Sequence, residues 1–373
     1  MPNLIFDTHT MLDLLKRLVE TESPSNDKVA VDRVGLIVAE ECRKLGALVK
    51  IMPNKKAGNH IVAKWGNGGA KSLLILCHMD TVFPMGILPK MPYYEKDGKI
   101  FGPGTLDMKG GIAIALGAIA AICKSSKMPE KPIVALFTSD EEIGSHTSRE
   151  LIEDLARQAE MVFVLESGLV DGSLKAWRKG VGDFTVKVKG RAAHAGGDHE
   201  QGRNAIEEMA HQVIAIQNMT DYERGTTLTV GVIRGGIVAN VIPDECEAEV
   251  DMRVLQPGEA ERIQAAMQAL QPVLDGTSIE VSGSLNRPPL PYNEVNQAAF
   301  EKAAVIARDV LGQELRASGA GGASDGNFVA PLGVPVLDGL GAVGEGYHSE
   351  REYIFKDSLL ERARLLAAFL QNW

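Results

Sequence analysis

Residues 72–80 read SLLILCHMD: a near-continuous apolar run over 72–77 that stops at His78-Met79-Asp80. A short run without polar alternation, bounded by polar residues, reads as a strand covered on both faces, as in a sheet packed between helices. Before it lie a second short apolar run at 59–65 and, earlier still, two stretches with apolar positions at helical spacing, 7–20 and 27–45, separated by the turn-rich TESPSND. After it come a buried-looking helix at 108–124, the run Pro132 to Thr138, a helix at about 147–157 and the run Met161 to Leu165. Alternation of this kind predicts an α/β fold with a mostly parallel mixed sheet covered by helices.

From about residue 181 the texture changes. Phe184, Val186 and Val188 alternate with polar residues, which predicts a strand with one face in solvent. A helix at 203–217, strands at 226–234 and 245–254, a helix at 258–270 and a strand at 278–283 follow. This is the βαββαβ order of a small α+β sandwich. Beyond Asn286-Arg287-Pro288-Pro289 the chain returns to helix (294–310), strand (about 314–317), helix (324–330), strand (334–338) and a C-terminal helix (356–371). The reading is a discontinuous domain, 1–180 with 288–373, interrupted by an inserted lid or dimerisation domain, 181–287.

Composition narrows the function. A length of 373 residues suits about two domains with full-sized cores. With 39 Lys and Arg against 49 Asp and Glu the formal net charge is −10, which argues against nucleic-acid and anionic-membrane partners. The apolar stretch Gly110 to Cys123 is shorter than the roughly 18 to 20 residues that span a bilayer. Cys42, Cys77, Cys123 and Cys246 show no C-x-x-C spacing, so a reducing compartment fits. The N-terminal residues lack a basic region followed by a long apolar one, so the expectation is a cytoplasmic protein.

Ligands of open α/β sheets gather at the carboxyl ends of the strands. Strand 72–77 delivers His78 and Asp80 there, the loop before helix 108–124 delivers Asp107, strand 132–138 runs into Asp140-Glu141-Glu142, strand 161–165 ends in Glu166, and the glycine-rich GLGAVGEGYHS presents His348. Buried carboxylates that repel one another are costly unless a cation compensates them. Two imidazoles and several carboxylates without a thiolate cluster suit Zn²⁺ or a similar divalent ion, and a shared carboxylate would let two ions sit side by side.

His78-x-Asp80, Asp107 in GPGTLDMKGG, the Glu141-Glu142 pair, Glu166, the Gly190-x-x-x-His194-Ala195-Gly196 segment and His348 together resemble the zinc aminoacylase/carboxypeptidase family of co-catalytic metallohydrolases. Glutamate carboxypeptidase, acetylornithine deacetylase, succinyl-diaminopimelate desuccinylase and aminoacylase belong to it. The resemblance covers essentially the whole chain; 29 residues lead from His78 to Asp107, 34 from Asp107 to Glu141 and 24 from Glu142 to Glu166. It implies two divalent ions, zinc or cobalt, with His78 and Glu166 on one, Glu142 and His348 on the other and Asp107 bridging. It further implies Asp80 orienting His78, Glu141 as general base, and a cis peptide at Asp107–Met108. His194 would donate to the oxyanion from a partner subunit, and Arg287, Asn240 and Ser324 would lie near a substrate carboxylate.

The lid string 180–206 and the ending GYHSEREY look most like the glutamate carboxypeptidase branch, which implies release of a C-terminal glutamate from N-acyl or folate-like conjugates, or from a short peptide. An N-acyl-amino-acid deacylase is the alternative. Two remoter readings differ in kind. Gly322-Ala323-Ser324-Asp325-Gly326 matches the G-x-S-x-G nucleophile elbow, with Asp338 and His348 following in α/β-hydrolase order; and a binding protein without catalysis would keep the fold alone. The exposed edges of a βαββαβ sandwich predict a homodimer joined through the lids.

Overall fold

The computed structural model describes residues 4–67, 71–125 and 128–373. It divides into two compact units: one comprises the chain to Trp177 together with Tyr292–Ala320 and Ser324–Trp373, the other Arg178–Pro291 with Gly321–Ala323.

The first unit is built on a six-stranded sheet in the order Leu48–Met52, His60–Trp65, Ile133–Thr138, Ser72–His78, Ala159–Val164, Val336–Leu337. The last four strands run parallel and the first two pairings are antiparallel. Every residue of Ser72–His78 is buried. Helices Thr8–Glu20, Lys28–Lys44, Gly110–Lys124 and Lys356–Asn372 share one buried core with the strands of this sheet. In the first of these Met11, Leu14, Leu15, Leu18 and Val19 form the buried stripe, and Asp7 caps the start by accepting the Thr10 N–H at 3.0 Å. The segment Thr105–Lys124 is long and apolar enough to cross a membrane by length and composition, yet 78% of that window is buried in the protein, so it is read as a core helix.

One glycine sets the distance between two elements that bear on the site. A Cβ at Gly111 would sit 2.1 Å from the Leu165 carbonyl oxygen, so only glycine lets the start of Gly110–Lys124 lie against the end of Ala159–Val164. That contact brings the loop carrying Asp107 beside Glu166.

The second unit is a four-stranded antiparallel sheet in the order Thr227–Gly235, Glu245–Val254, Gly180–Lys189, Ser278–Arg287. Buried and exposed residues alternate along Gly180–Lys189, with Phe184, Val186 and Val188 inward. Helices Ala205–Gln217 and Glu259–Gln268 contribute Met209, Ile216, Ile263 and Met267 to the same core.

Differences from expectation are confined to short elements. The edge strand Leu48–Met52 is a mainly apolar run, LVKIM, directly behind the helix expected at 27–45 and not expected as a strand, whereas the hairpin of Tyr94–Lys96 with Lys99–Phe101 and the strand Leu174–Arg178 mix apolar with charged residues and have no clear apolar signature. The strand expected at 314–317 lies at Ala317–Ala320. The helix expected at 324–330 is two 3₁₀ turns, Asp325–Phe328 and Ala330–Leu332. Pro331 has no N–H to donate back to the preceding turn, so one continuous α-helix cannot run through it, and Gly326 weakens the stretch further.

Candidate metal centre

Because Ser72–His78, Ile133–Thr138 and Ala159–Val164 are parallel, His78, the Asp140-Glu141-Glu142 turn and Glu166 all leave the sheet at one edge. Two donor groups form there. His78, Asp107 and Glu166 make one; Asp107, Glu142 and His348 make the other, each with ligand atoms within 4.8 Å of one another. His78 Nε2 lies 3.0 Å from Asp107 Oδ1 and 3.4 Å from Glu166 Oε1. His348 Nε2 lies 3.1 Å from Asp107 Oδ2 and 3.3 Å from Glu142 Oε2. Each oxygen of Asp107 therefore faces a different imidazole.

These separations suit metal coordination: two ligands bonded at ~2.0–2.1 Å in a tetrahedral arrangement are roughly 3.3 Å apart. Glu142 Oε1 is buried and has no hydrogen-bond partner among the described residues, which is costly for an acceptor unless something else engages it. The electrostatics agree. Burial, joined by the charge of Asp107, pushes the Glu142 carboxyl up to about 7. Hydrogen bonds to Asp107 and Glu142 raise His348 to about 10. Burial disfavours a charged His78, but its bonds to Asp107, Asp80 and Glu166 outweigh that and raise it. Burial likewise opposes ionisation of Asp107, yet the hydrogen bonds from His348 and His78 and their charges hold its carboxyl well below the usual range. The site thus collects negative charge that protons on the imidazoles offset. Divalent ions would do the same and compete with those protons.

Asp80 is fully buried and serves two elements at once. The Nδ1 of His78 sits 3.0 Å from the Asp80 backbone carbonyl and 3.5 Å from its Oδ1. The Asp80 carboxylate also accepts the backbone N–H groups of Glu141 and Glu142, each at 3.2 Å, and the Ser25 hydroxyl at 2.7 Å. It therefore ties the His78 strand end to the Glu141-Glu142 turn. The Asp107–Met108 peptide is cis, as the resemblance implies.

The model of peptidase family M20/M25/M40 matches residues 74–372. The chain belongs to this family. It is 31% identical over 386 aligned residues to carboxypeptidase G2 of Pseudomonas sp. (strain RS-16), covering 99% of this chain and 91% of that protein. Succinyl-diaminopimelate desuccinylase of Dechloromonas aromatica is 26% identical over 385 residues, covering 97% of this chain and 98% of the relative. Among solved structures, a tripeptidase from Staphylococcus aureus superposes with a TM-score of 0.80 at 25% identity, with 98% of each chain covered.

The remaining expected residues of this M20-family chain fall outside the donor groups. His194, Asn240 and Arg287 all belong to the second unit. His194 is exposed on a short bridge, Ala193–His194 with Val241–Ile242, and its Nδ1 accepts the N–H groups of Gly196 at 3.1 Å and Gly197 at 3.0 Å. With Nδ1 an acceptor, the proton of the neutral ring sits on Nε2, which makes that atom a donor. The Asn240 carbonyl accepts the N–H of Ala195, so Asn240 stands next to the His194 segment. Arg287 is only 7% exposed.

Ser324 takes a different role from the one expected. It is fully buried, its hydroxyl donates to Asp338 Oδ2 at 2.6 Å and accepts the Gly326 N–H at 3.1 Å, and it caps the turn that follows. Asp338 thus bonds the serine directly, while His348 faces Asp107 and Glu142. No Ser-His-Asp relay exists here, and the serine-hydrolase reading fails on geometry.

Sequence reasoning missed Glu352 and Lys109, both buried. Burial drives the Lys109 amine down to about 7, and Nζ donates to the Thr21 carbonyl at 3.0 Å. Glu352 sits in a charged run, Ser349-Glu350-Arg351-Glu352, which reads as a solvated turn.

Proposed function

We propose that the protein is a two-metal amide hydrolase that releases a C-terminal amino acid, glutamate by preference, from N-acyl or folate-like conjugates. The observation that carries this reading is Asp107, whose two oxygens face separate imidazoles, each paired with its own terminal carboxylate. Similarity to a carboxypeptidase over nearly the whole chain supports the choice of branch.

In this reading His78 and Glu166 hold one ion, Glu142 and His348 a second, and Asp107 both, with zinc as the metal and cobalt as a substitute. When bound, the ions supply Lewis acidity toward the scissile carbonyl and toward a water. Glu141 takes a proton from that water and passes it to the departing amine. Its position suits a base, since it adjoins the ligand Glu142 and its backbone N–H is held by Asp80. His194 donates through Nε2 to the oxyanion of the reacting amide. Arg287 and Asn240 hold the free α-carboxylate of the substrate. Ser324, engaged in its cap, is left out.

The lid is residues 181–287, hinged near Gly180 and Arg287, and pairs with a second copy so that His194 serves the partner's site. Thr227–Gly235 lies at the end of its sheet, and Ile206, Ile214, Ile233 and Ile237 are exposed on the same unit, Ile237 at 91%. Such an edge with exposed aliphatic residues is one that pairing would cover. All four cysteines are free, which suits a cytoplasmic enzyme.

Similarity to a desuccinylase supports a second reading in which the same chemistry removes a small acyl group. A panel of N-acyl amino acids, their α-carboxamides and N-succinyl substrates, assayed with zinc and with cobalt, decides between them. Fastest turnover of glutamate conjugates, with the carboxamides resistant, is expected. Faster cleavage of N-succinyl substrates selects the deacylase, and no turnover of any amide overturns both.

A further inference from the structure

The small sheet beside the candidate metal centre joins parts of the chain far apart in sequence. Tyr353–Phe355 pairs antiparallel with Lys99–Phe101 on one side and with Gly344–Glu345 on the other, Tyr353 standing opposite both Phe101 and Glu345. This register places Glu352 under the loop 102–107. It also ties Glu352 to the turn that carries His348, since the Ser349 N–H bonds the Gly346 carbonyl at 3.1 Å and the Glu352 N–H bonds the Ser349 carbonyl at 3.2 Å.

The Glu352 side chain is 0% exposed and makes no close ion pair among the described residues, the charge of buried Lys109 acting on it from farther off. Its carboxylate is engaged by backbone instead. Oε2 accepts the N–H of Gly104 at 3.1 Å, and Oε1 accepts those of Leu106 at 2.7 Å and Asp107 at 3.1 Å. The loop is shaped to present them: Gly104 has φ 73°, and a Cβ there would lie 2.7 Å from Thr81 Cγ2. Three N–H groups converging on one buried carboxylate form a fixed clasp.

We infer that Glu352 is a positioning residue for the shared ligand: it holds the Asp107 backbone so that both carboxylate oxygens reach their separate imidazoles. The inference rests on the two-metal reading above. The carboxylate bond to the Asp107 N–H limits rotation of that peptide, and the Glu352 backbone N–H, bonded to the Ser349 carbonyl, links the same residue to the His348 turn. Loss of the clasp should therefore reach both ions, because both depend on Asp107.

The test uses full-length protein, wild type and the variants Glu352→Ala, Glu352→Gln and, as a control on the neighbouring strand, Glu345→Gln. Zinc affinity is measured by competition with a chromogenic chelator, and the cobalt-loaded proteins are compared by their visible absorption. Glu352→Ala is expected to weaken metal binding roughly 10–100-fold, the range found when partners of metal ligands are removed. Glu352→Gln keeps one acceptor oxygen and should fall between wild type and Glu352→Ala. Glu345→Gln should match wild type, and the metal-free variants should retain the wild-type circular dichroism. Should Glu352→Ala fail to fold, the isosteric Glu352→Gln carries the comparison. Wild-type affinity and an unchanged cobalt spectrum in a folded Glu352 variant overturn the positioning role alone. A wild-type protein that takes up no zinc or cobalt overturns the two-metal reading instead.

Discussion

The strands Ser72–His78 and Gly180–Lys189 show how differently two parts of one chain place their polar residues. The first is buried along its whole length and carries its ionisable group only at its end; the second alternates, with Asp183, Lys187 and Lys189 exposed along one face. A strand covered on both sides has no room for a charge in its middle, so its polar residues gather where the backbone leaves the sheet. A strand with one wet face distributes them along its length. A charged residue in the second setting is a surface residue. In the first it stands at the rim where chemistry is possible.

The sharpest way to break this contrast is at the rim. Glu141→Gln is expected to lower kcat by roughly 10²–10⁴-fold while metal content stays at the wild-type level, because the role proposed for Glu141 is that of a general base and not of a ligand. Steady-state kinetics with elemental analysis checks it; loss of metal would instead make Glu141 a ligand. Next in size is the covered sheet itself. Phe137→Ala, fully buried in Ile133–Thr138, should cost about 3–5 kcal/mol in urea unfolding through the cavity it leaves. A cost below about 1 kcal/mol would mean the sheet is packed far more loosely than its burial implies.

On the lid, His194→Ala is expected to lower kcat by roughly 10²–10³-fold with metal content intact. Mixing it with Glu141→Ala sharpens the point: in the proposed dimer, subunit exchange should regenerate one complete site per hybrid and restore activity. Exchange without recovery excludes action across the interface. The smallest effect belongs to the wet face of the alternating strand. Lys187, 3.2 Å from Glu247 with half of its side chain exposed, should be replaceable by alanine within about 0.5 kcal/mol and without change in rate. A larger loss would give that face a function.

How much of this was legible in sequence follows from the same contrast. Ser72–His78, Ile133–Thr138 and Ala159–Val164 are readable because two-sided burial demands continuous apolar residues, and His78, Glu142 and Glu166 are readable because they interrupt such runs. The hairpin Tyr94–Lys96 with Lys99–Phe101 is not, since its short strands mix aromatic and charged residues and are held by pairing with Tyr353–Phe355. Glu352 shares that cause: only a pairing between residues some 250 positions apart buries it, and no local pattern reports it. The remote serine-hydrolase reading of Ser324 fails because a G-x-S-x-G string says nothing about whether the hydroxyl is already capping a turn.

The Gly111 contact gives the rim a property that no charged residue supplies. The gap between the Asp107 loop and the end of the Glu166 strand is gauged by main chain against main chain, with a hydrogen atom as the spacer. A single methyl group at that point, in Gly111→Ala, would act as a wedge between the two halves of the donor set.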